Sequence, residues 1–421
     1  MRSIYSIIIV YFCFQLQAQT GPSPILLLPD HLFDGQEMHQ DWGLVVQADT
    51  IVAVGPAATL ARFKNAEVIT LKGMTLLPGL IEGHAHLLLH PYNEVSWNDQ
   101  VLKESQAERV IRATIHANKT LEAGFTTVRD LGSEGAGYAD VGIKTAIEKG
   151  IIPGPRLQVA GPAIVATGSY GPKGFAPHFT PPLGANEADG VDGLIKEVRT
   201  QMGNGADFIK VYADYRWGPD GEARPTFSQE ELELIVKTAA SSGRKVVAHA
   251  ATAEGMRRAI LAGVVSIEHG DGGTPEVFEL MAEKGVVLCP TIAAGDAIIQ
   301  YQGWQKGKAP EPSRITQKRR SVSQALAAGV TISAGGDVGV FSHGDNVREL
   351  EMMAAYGMPI LDVLRSATSI NAKMMGWEDK IGRLKTAFLA DLLVVEGRPD
   401  LDITDLRKVK MVMKGGSWVI R

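Results

Sequence analysis

Between residues 78 and 381 two patterns alternate along the chain, and this limits the possible folds more than any other feature. Eight short apolar runs recur: Leu80-Ile81-Glu82-Gly83, Thr126-Thr127-Val128-Arg129, Arg156-Leu157-Gln158-Val159, Phe208-Ile209-Lys210-Val211-Tyr212, Lys245-Val246-Val247-Ala248, Val264-Val265-Ser266-Ile267, Val286-Val287-Leu288-Cys289 and Val330-Thr331-Ile332-Ser333. Runs this short, bounded by polar or glycine-rich stretches, read as buried strands. Between most of them, apolar residues recur at spacings of three and four, over residues 108–123, 190–203, 228–242, 252–262 and 274–284. That is the period of an amphipathic helix. Ser228 with Glu231 three residues later predicts a capping box at one helix start. Eight strand–helix units predict an α/β protein, a (β/α)8 TIM barrel over residues 78–381. An open doubly wound sheet is the rival. No G-x-G-x-x-G follows the first strand, and Gly132–Gly137 is only a loose glycine-rich loop.

The flanks read differently. Residues 19–77 and 382–421 hold short β-like runs separated by Gly, Asp, Asn and Pro, which predicts one small β-sandwich domain built from both termini. Residues 1–18 carry Arg2, a short apolar centre (Ile7-Ile8-Ile9-Val10) and a small-residue site ending at Ala18. They read as a signal peptide, so the protein is expected to be exported, periplasmic or secreted. That run is too short to span a membrane, and no later stretch is long and apolar enough. Cys289 is then the one cysteine left, in an apolar strand-like run where a small buried hydrophobe is expected. No internal disulfide is possible, so stability must come from the core. The net charge is −5, and a mildly acidic chain without a basic stripe is a poor nucleic-acid binder.

In a barrel the C-terminal strand ends line the active site. Strand one ends in His84-Ala85-His86, strand five in His249, strand six in Glu268-His269-Gly270 and strand eight in Gly335-Gly336-Asp337. Residues two apart on a strand share a side, so His84 and His86 can bind one metal together. Strand four carries Lys210 among apolar neighbours. Burying its cation is costly. A carbamate solves this, because the neutral amine captures carbon dioxide and becomes an anionic ligand with two oxygens.

The ordered set His84-Ala85-His86, Lys210, His249, His269 and Asp337 resembles the amidohydrolase superfamily. More narrowly, it is similar to the binuclear, carboxylated-lysine branch with prolidase-like and imidazolonepropionase-related metallopeptidases. Leu77 to His84, His343-Gly344-Asp345-Asn346 and Leu389-Ala390-Asp391-Leu392 extend the resemblance over nearly the whole chain after residue 18. It implies two divalent metal ions, zinc by ligand type. His84, His86 and Asp337 would hold one ion, and His249 and His269 the other. Lys210, as N6-carboxylysine, would bridge them. A bridging hydroxide would be the nucleophile, and Asp337 would pass its proton to the leaving amine. Tyr212, two residues after Lys210, would stabilise the oxyanion. The resemblance also implies a homo-oligomer.

Peptidases of this branch need a cation for the substrate carboxylate, and a small-molecule amide or dipeptide is the expected partner. Arg216 and Arg224 follow strand four, and arginine suits a bidentate carboxylate contact. The long aromatic loop after strand three offers Tyr170, Lys173 and, further on, His178. His343 is a candidate contact after strand eight. Prolidase-like relatives often carry a histidine near position 169 or 170, and Ser169 and Tyr170 stand there instead. The expected reaction is hydrolysis of an amide bond in a dipeptide or N-acyl amino acid. The alternatives are a mononuclear deaminase or cyclic-amide hydrolase, and a non-catalytic secreted ligand-binding protein on the same scaffold. Many such deaminases place a glutamate three residues after the strand-five histidine, where Thr252 stands. Gln317-Lys318-Arg319-Arg320 reads as a solvated helix face, and residues 300–314 as a loop that caps the barrel mouth.

Overall fold

The computed structural model describes residues 23–176 and 178–421. The expected signal segment lies outside them. Barrel strands one to seven span Leu80–Ala85, Phe125–Asp130, Arg156–Val159, Ile209–Tyr212, Val246–Thr252, Ser266–Gly272 and Val287–Cys289. Strand one pairs in parallel with two, and two with three. Strands four to seven pair in parallel in chain order. Between three and four, the Asp207 amide donates to the Val159 carbonyl at 2.8 Å. Parallel bridges join Leu288 to Ile332 and Ala85 to Val338. The fold is of the TIM-barrel type.

The eighth segment is not a regular strand. Gly335, Gly336 and Asp337, the last with φ +59°, interrupt its ladder. It instead lies against strand one, where the Gly83 amide donates to Ala334 O at 2.9 Å. A Cβ on Gly83 would stand 2.5 Å from that oxygen, so only glycine permits this approach. This seam carries Asp337 to the side of His84 and His86.

The expected helices form at Gln106–Glu122, Gly190–Gly203, Gln229–Ala240, Ala253–Ala262 and Pro275–Lys284. Ser228 makes the expected capping box with Glu231, and Thr252 and Thr274 cap the next two helices through their side chains. The run Gln317–Arg320 lies on a helix, Ser313–Ala327, and two helices at Ala139–Glu148 and Ile292–Tyr301 go beyond the sequence reading. The helix Ile292–Tyr301 begins with six consecutive buried residues. A segment buried all round shows no polar face and so no helical period. It also shortens the loop at the barrel mouth to residues 302–312.

The two described flanks, from residue 25 and up to residue 420, meet in one eight-stranded sheet. The strand Glu67–Pro78 lies at its centre. It pairs in parallel with Ile25–Phe33 and antiparallel with Leu392–Glu396. Leu27, Leu44, Leu76, Leu392 and Met413 pack its core. Through Gly79 this strand continues directly into barrel strand one, so the sheet anchors the segment that presents His84 and His86. Cys289 is buried and free, as expected.

Candidate active site

Four imidazoles gather at the C-terminal ends of strands one, five and six. Along the series His86, His84, His269, His249, successive ring centroids lie 5.4, 5.3 and 4.5 Å apart. Three of the four rings have their Nδ1 hydrogen-bonded by the protein. His84 Nδ1 meets Glu268 Oε2 at 2.9 Å, and His86 Nδ1 meets the Gly132 carbonyl at 2.9 Å. Both acceptors fix the proton on Nδ1 and leave Nε2 as a lone-pair donor. His269 Nδ1 meets Thr291 Oγ1 at 2.7 Å. His249 Nε2 leans toward Asp214 at 3.8 Å, which leaves its Nδ1. Rings oriented this way are what a metal site requires.

Asp337 completes one group. Its Oδ1 lies 3.5 Å from His84 Nε2 and 3.3 Å from His86 Nε2. The ligand atoms of these three residues fall within 4.8 Å of one another. Burial lowers the His84 pKa to about 4 and pushes His249 and His269 well below the usual range. These rings are therefore neutral and able to coordinate. Burial opposes charge on His86 too, but the adjacent Asp337 outweighs it and raises that ring to about 9. The pull of Asp337 on a proton here is a pull on any cation.

Buried carboxylates fix this group from behind. Glu268 accepts from Arg129 Nη2 at 2.8 Å and from Ser266 as well as from His84. Arg129 also donates to Gly83 O at 2.7 Å. Glu82 accepts from the amides of His84 and Gly336 and from Asn346 Nδ2, at 2.9–3.0 Å. It thus ties strand one to the segment before Asp337. Burial raises its carboxyl to about 7.

Lys210 is 1% exposed. Among the described residues, no carboxylate pairs with its Nζ, and burial lowers its pKa. A buried, readily neutralised amine facing imidazoles and carboxylates is the chemistry that carbamate formation needs. Among the described residues, the donor set of four imidazoles, one aspartate and this amine fits zinc-type divalent ions.

A cavity of about 920 Å³ opens over the cluster. It takes in His84, His86, His249, His269, Asp337, Tyr212, Tyr170 and Arg216. Burial pushes the Tyr212 phenol well above its usual range, so it stays protonated. Four non-glycine residues on the cavity wall hold positive φ: Glu134 (+49°), His269 (+76°), Thr291 (+49°) and Asp337 (+59°). Such strain costs about 1–3 kcal/mol per residue and collects at functional sites.

Other expected contacts are not brought to this cavity. Arg224 is exposed and pairs with Glu222 at 2.8 Å. Lys173 is exposed and donates to the Arg216 carbonyl. His178 is exposed on the loop after strand three and does not line the cavity. His343 stacks on His116, with centroids 4.2 Å apart, and its Nε2 meets Leu89 O. It borders a separate cleft of about 540 Å³.

Several cavity residues are not singled out by the sequence, Trp97, Asp214 and Thr291 among them, and two matter most. Glu134 sits in the glycine-rich loop that was set aside for lacking a dinucleotide motif. The signal was its position directly after strand two, at the rim. Lys318 corrects the solvated-face expectation. It is 5% exposed, donates to the carbonyls of His269 and Pro290, and pairs with Asp271.

The amidohydrolase family model matches residues 75–419. An ochratoxinase of Aspergillus niger is 30% identical over 93% of this chain and 84% of its own. A crystal structure of a Xaa-Pro dipeptidase with methionine bound in the active site superposes with a TM-score of 0.82. It is 30% identical and covers 95% of this chain and 100% of that one. A prolidase structure with N-methylphosphonate-L-proline gives a TM-score of 0.79 at 27% identity, covering 94% and 100%.

Proposed function

The chain belongs to the amidohydrolase family, on its prolidase-like branch, and on that premise we propose that it hydrolyses an amide bond in a dipeptide or N-acyl amino acid at a two-metal centre. The observation that carries the reading is the cluster of four imidazoles, three of them oriented by a hydrogen bond to Nδ1, beside Asp337 and the buried Lys210. His84, His86 and Asp337 would hold one ion, and His249 and His269 the second, with carboxylated Lys210 between them. When bound, the ions would supply a water acidified to near pH 7 and a Lewis acid for the carbonyl.

The rest is done by the chain itself. Asp337 takes the proton that the attacking water gives up and passes it to the nitrogen of the leaving amine. Tyr212 keeps its proton and donates it as a hydrogen bond to the carbonyl oxygen as charge develops there. Arg216, on the cavity wall beside Tyr215, meets the substrate carboxylate. Export, homo-oligomeric assembly and a sandwich arrangement of the terminal sheet belong to the same reading.

The test is a panel of dipeptides and N-acyl amino acids with amine release as the readout. Activity should vanish on chelation and return with zinc. The second reading, a one-ion deaminase or cyclic-amide hydrolase, is favoured by the compactness of the His84, His86 and Asp337 group alone. Thr252 counts against it, since its hydroxyl is spent on Asp214 and on capping a helix. Zinc binding and ligand binding without turnover of any amide would move the protein to a non-catalytic binding role.

A further inference from the structure

One carboxylate oxygen in the cavity has no use in the reaction above. Glu134 is 2% exposed and lines the cavity. Its backbone is held in the left-handed region, with Arg109 Nη1 donating to its carbonyl at 2.8 Å. Oε2 accepts from Trp97 Nε1 at 2.9 Å and from the Tyr170 hydroxyl at 2.7 Å. Indole N–H is donor only, so the carboxylate is an acceptor here. Oε1 has weaker company. The Tyr212 hydroxyl is 3.5 Å away. His86 Nδ1 is 3.9 Å away and already donates to Gly132 O. No lysine or arginine among the described residues pairs with this carboxylate. Asp214, also on the cavity wall, differs, because both its oxygens accept from the amides of Ala251 and Thr252.

We infer that Glu134 binds the free α-ammonium of the substrate, so that the site takes an unblocked dipeptide in preference to an N-acyl amino acid. The inference rests on the hydrolase reading for which bond is cut. The α-nitrogen of a peptide lies about 3 Å from its own carbonyl oxygen. A substrate whose carbonyl meets the Tyr212 hydroxyl therefore carries its ammonium toward Oε1. A buried anion gains most from a partner that brings a full positive charge. Acetylation removes that charge and adds bulk where Trp97 and Tyr170 already crowd the carboxylate, their rings 5.2 Å apart.

Methionyl-alanine and its N-acetyl form test this, in the parent and in Glu134→Gln. The variant keeps an oxygen for Trp97 and Tyr170. For the zinc-loaded parent, kcat/KM for the free peptide should exceed that for the acetylated one by on the order of 100-fold, as expected for a charged hydrogen bond. In Glu134→Gln the ratio should fall below about 5-fold. Binding is read separately, as the shift in melting temperature that each peptide causes in chelated protein. Only the free peptide should shift the parent. A parent preference that survives unchanged in Glu134→Gln overturns the inference; if that variant does not fold, Glu134→Asp, which keeps the charge but shortens its reach, is read in its place. Equal rates and equal shifts for the two peptides overturn the inference and leave the hydrolase reading intact. A preference that follows a lysyl or arginyl side chain, and ignores acetylation, overturns it too. A Glu134-dependent shift by the free peptide without turnover of either supports the inference and overturns the hydrolase reading.

Discussion

The two halves of the polar cluster are built differently. His84, His86 and Asp337 stand on strand one and the segment beside it, and their support is ionic and fully buried. Arg129, Glu268 and Glu82 are each 2% exposed or less. His249 and His269 are partly exposed, and their support comes from the mouth of the barrel. Lys318 and Ser321, on the helix Ser313–Ala327, hold the carbonyls of His269 and Gly270. Asp214 stands beside His249. Both sets of supports are buried, but the first belongs to strand one and its neighbours within the barrel, while the second reaches His249 and His269 from the helix Ser313–Ala327 and from Asp214 beyond strand four. The account expects the first ion to bind more tightly than the second, and the variants below break one half at a time.

The largest effect falls on the residue proposed as both ligand and proton carrier. Asp337→Asn keeps the shape and removes the base, so kcat for amide hydrolysis should fall about 1,000-fold, read by steady-state amine release. Next is the buried scaffold of the first half. Arg129→Met leaves Glu268 without its cation, which should cost about 3–5 kcal/mol of stability by denaturant unfolding. A variant within ~1 kcal/mol of the parent would show that the carboxylate is satisfied by His84 and Ser266 alone. Lys318→Met attacks only the second half. It frees the His269 carbonyl, so affinity for the second ion should weaken about 10- to 100-fold while the first stays within a few-fold, by metal titration. Equal losses at both ions would erase the distinction between the halves.

A further expected effect is a pH slope that arises away from the proposed metal ligands. Glu349 is buried and accepts from the amides of Ile292 and Ala293. Burial pushes its carboxyl from 4.5 up to about 8. A raised pKa means that the folded state holds the proton longer than the unfolded chain does. Its contribution is therefore fully present below about pH 4.5 and is lost as pH rises toward 8. The slope is up to ~1.4 kcal/mol per pH unit. Glu349→Gln loses one amide contact at every pH and should flatten that slope in unfolding experiments between pH 5 and 8. An unchanged slope would place the titrating group elsewhere.

The first half was also the more legible in the sequence. A strand that ends in His-x-His announces itself, because alternation alone puts both rings on one side. The helix at residues 190–203 was likewise visible to the residue, since a half-buried helix shows its period. What failed had a common cause. Lys318 sits in a run of three cations and looks solvated, yet its burial is created by residues 269–271 and 290, far back in the chain. Glu134 sits among glycines, and its partners Trp97, Tyr170 and Tyr212 come from three other parts of the chain. Periodicity reports burial against the body of a fold. It does not report burial made by loops closing over a cavity. Arg224 and His343 show the converse, because sitting near a strand end in the sequence did not bring them into the cavity.

The central claim is that Lys210 bridges two ions, and metal content tests it most directly. Protein grown with zinc and bicarbonate would be compared with Lys210→Ala by elemental analysis. The account predicts two metals per chain in the parent and one in the variant, retained by His84, His86 and Asp337. One metal per chain in both would contradict the bridge and leave a mononuclear enzyme.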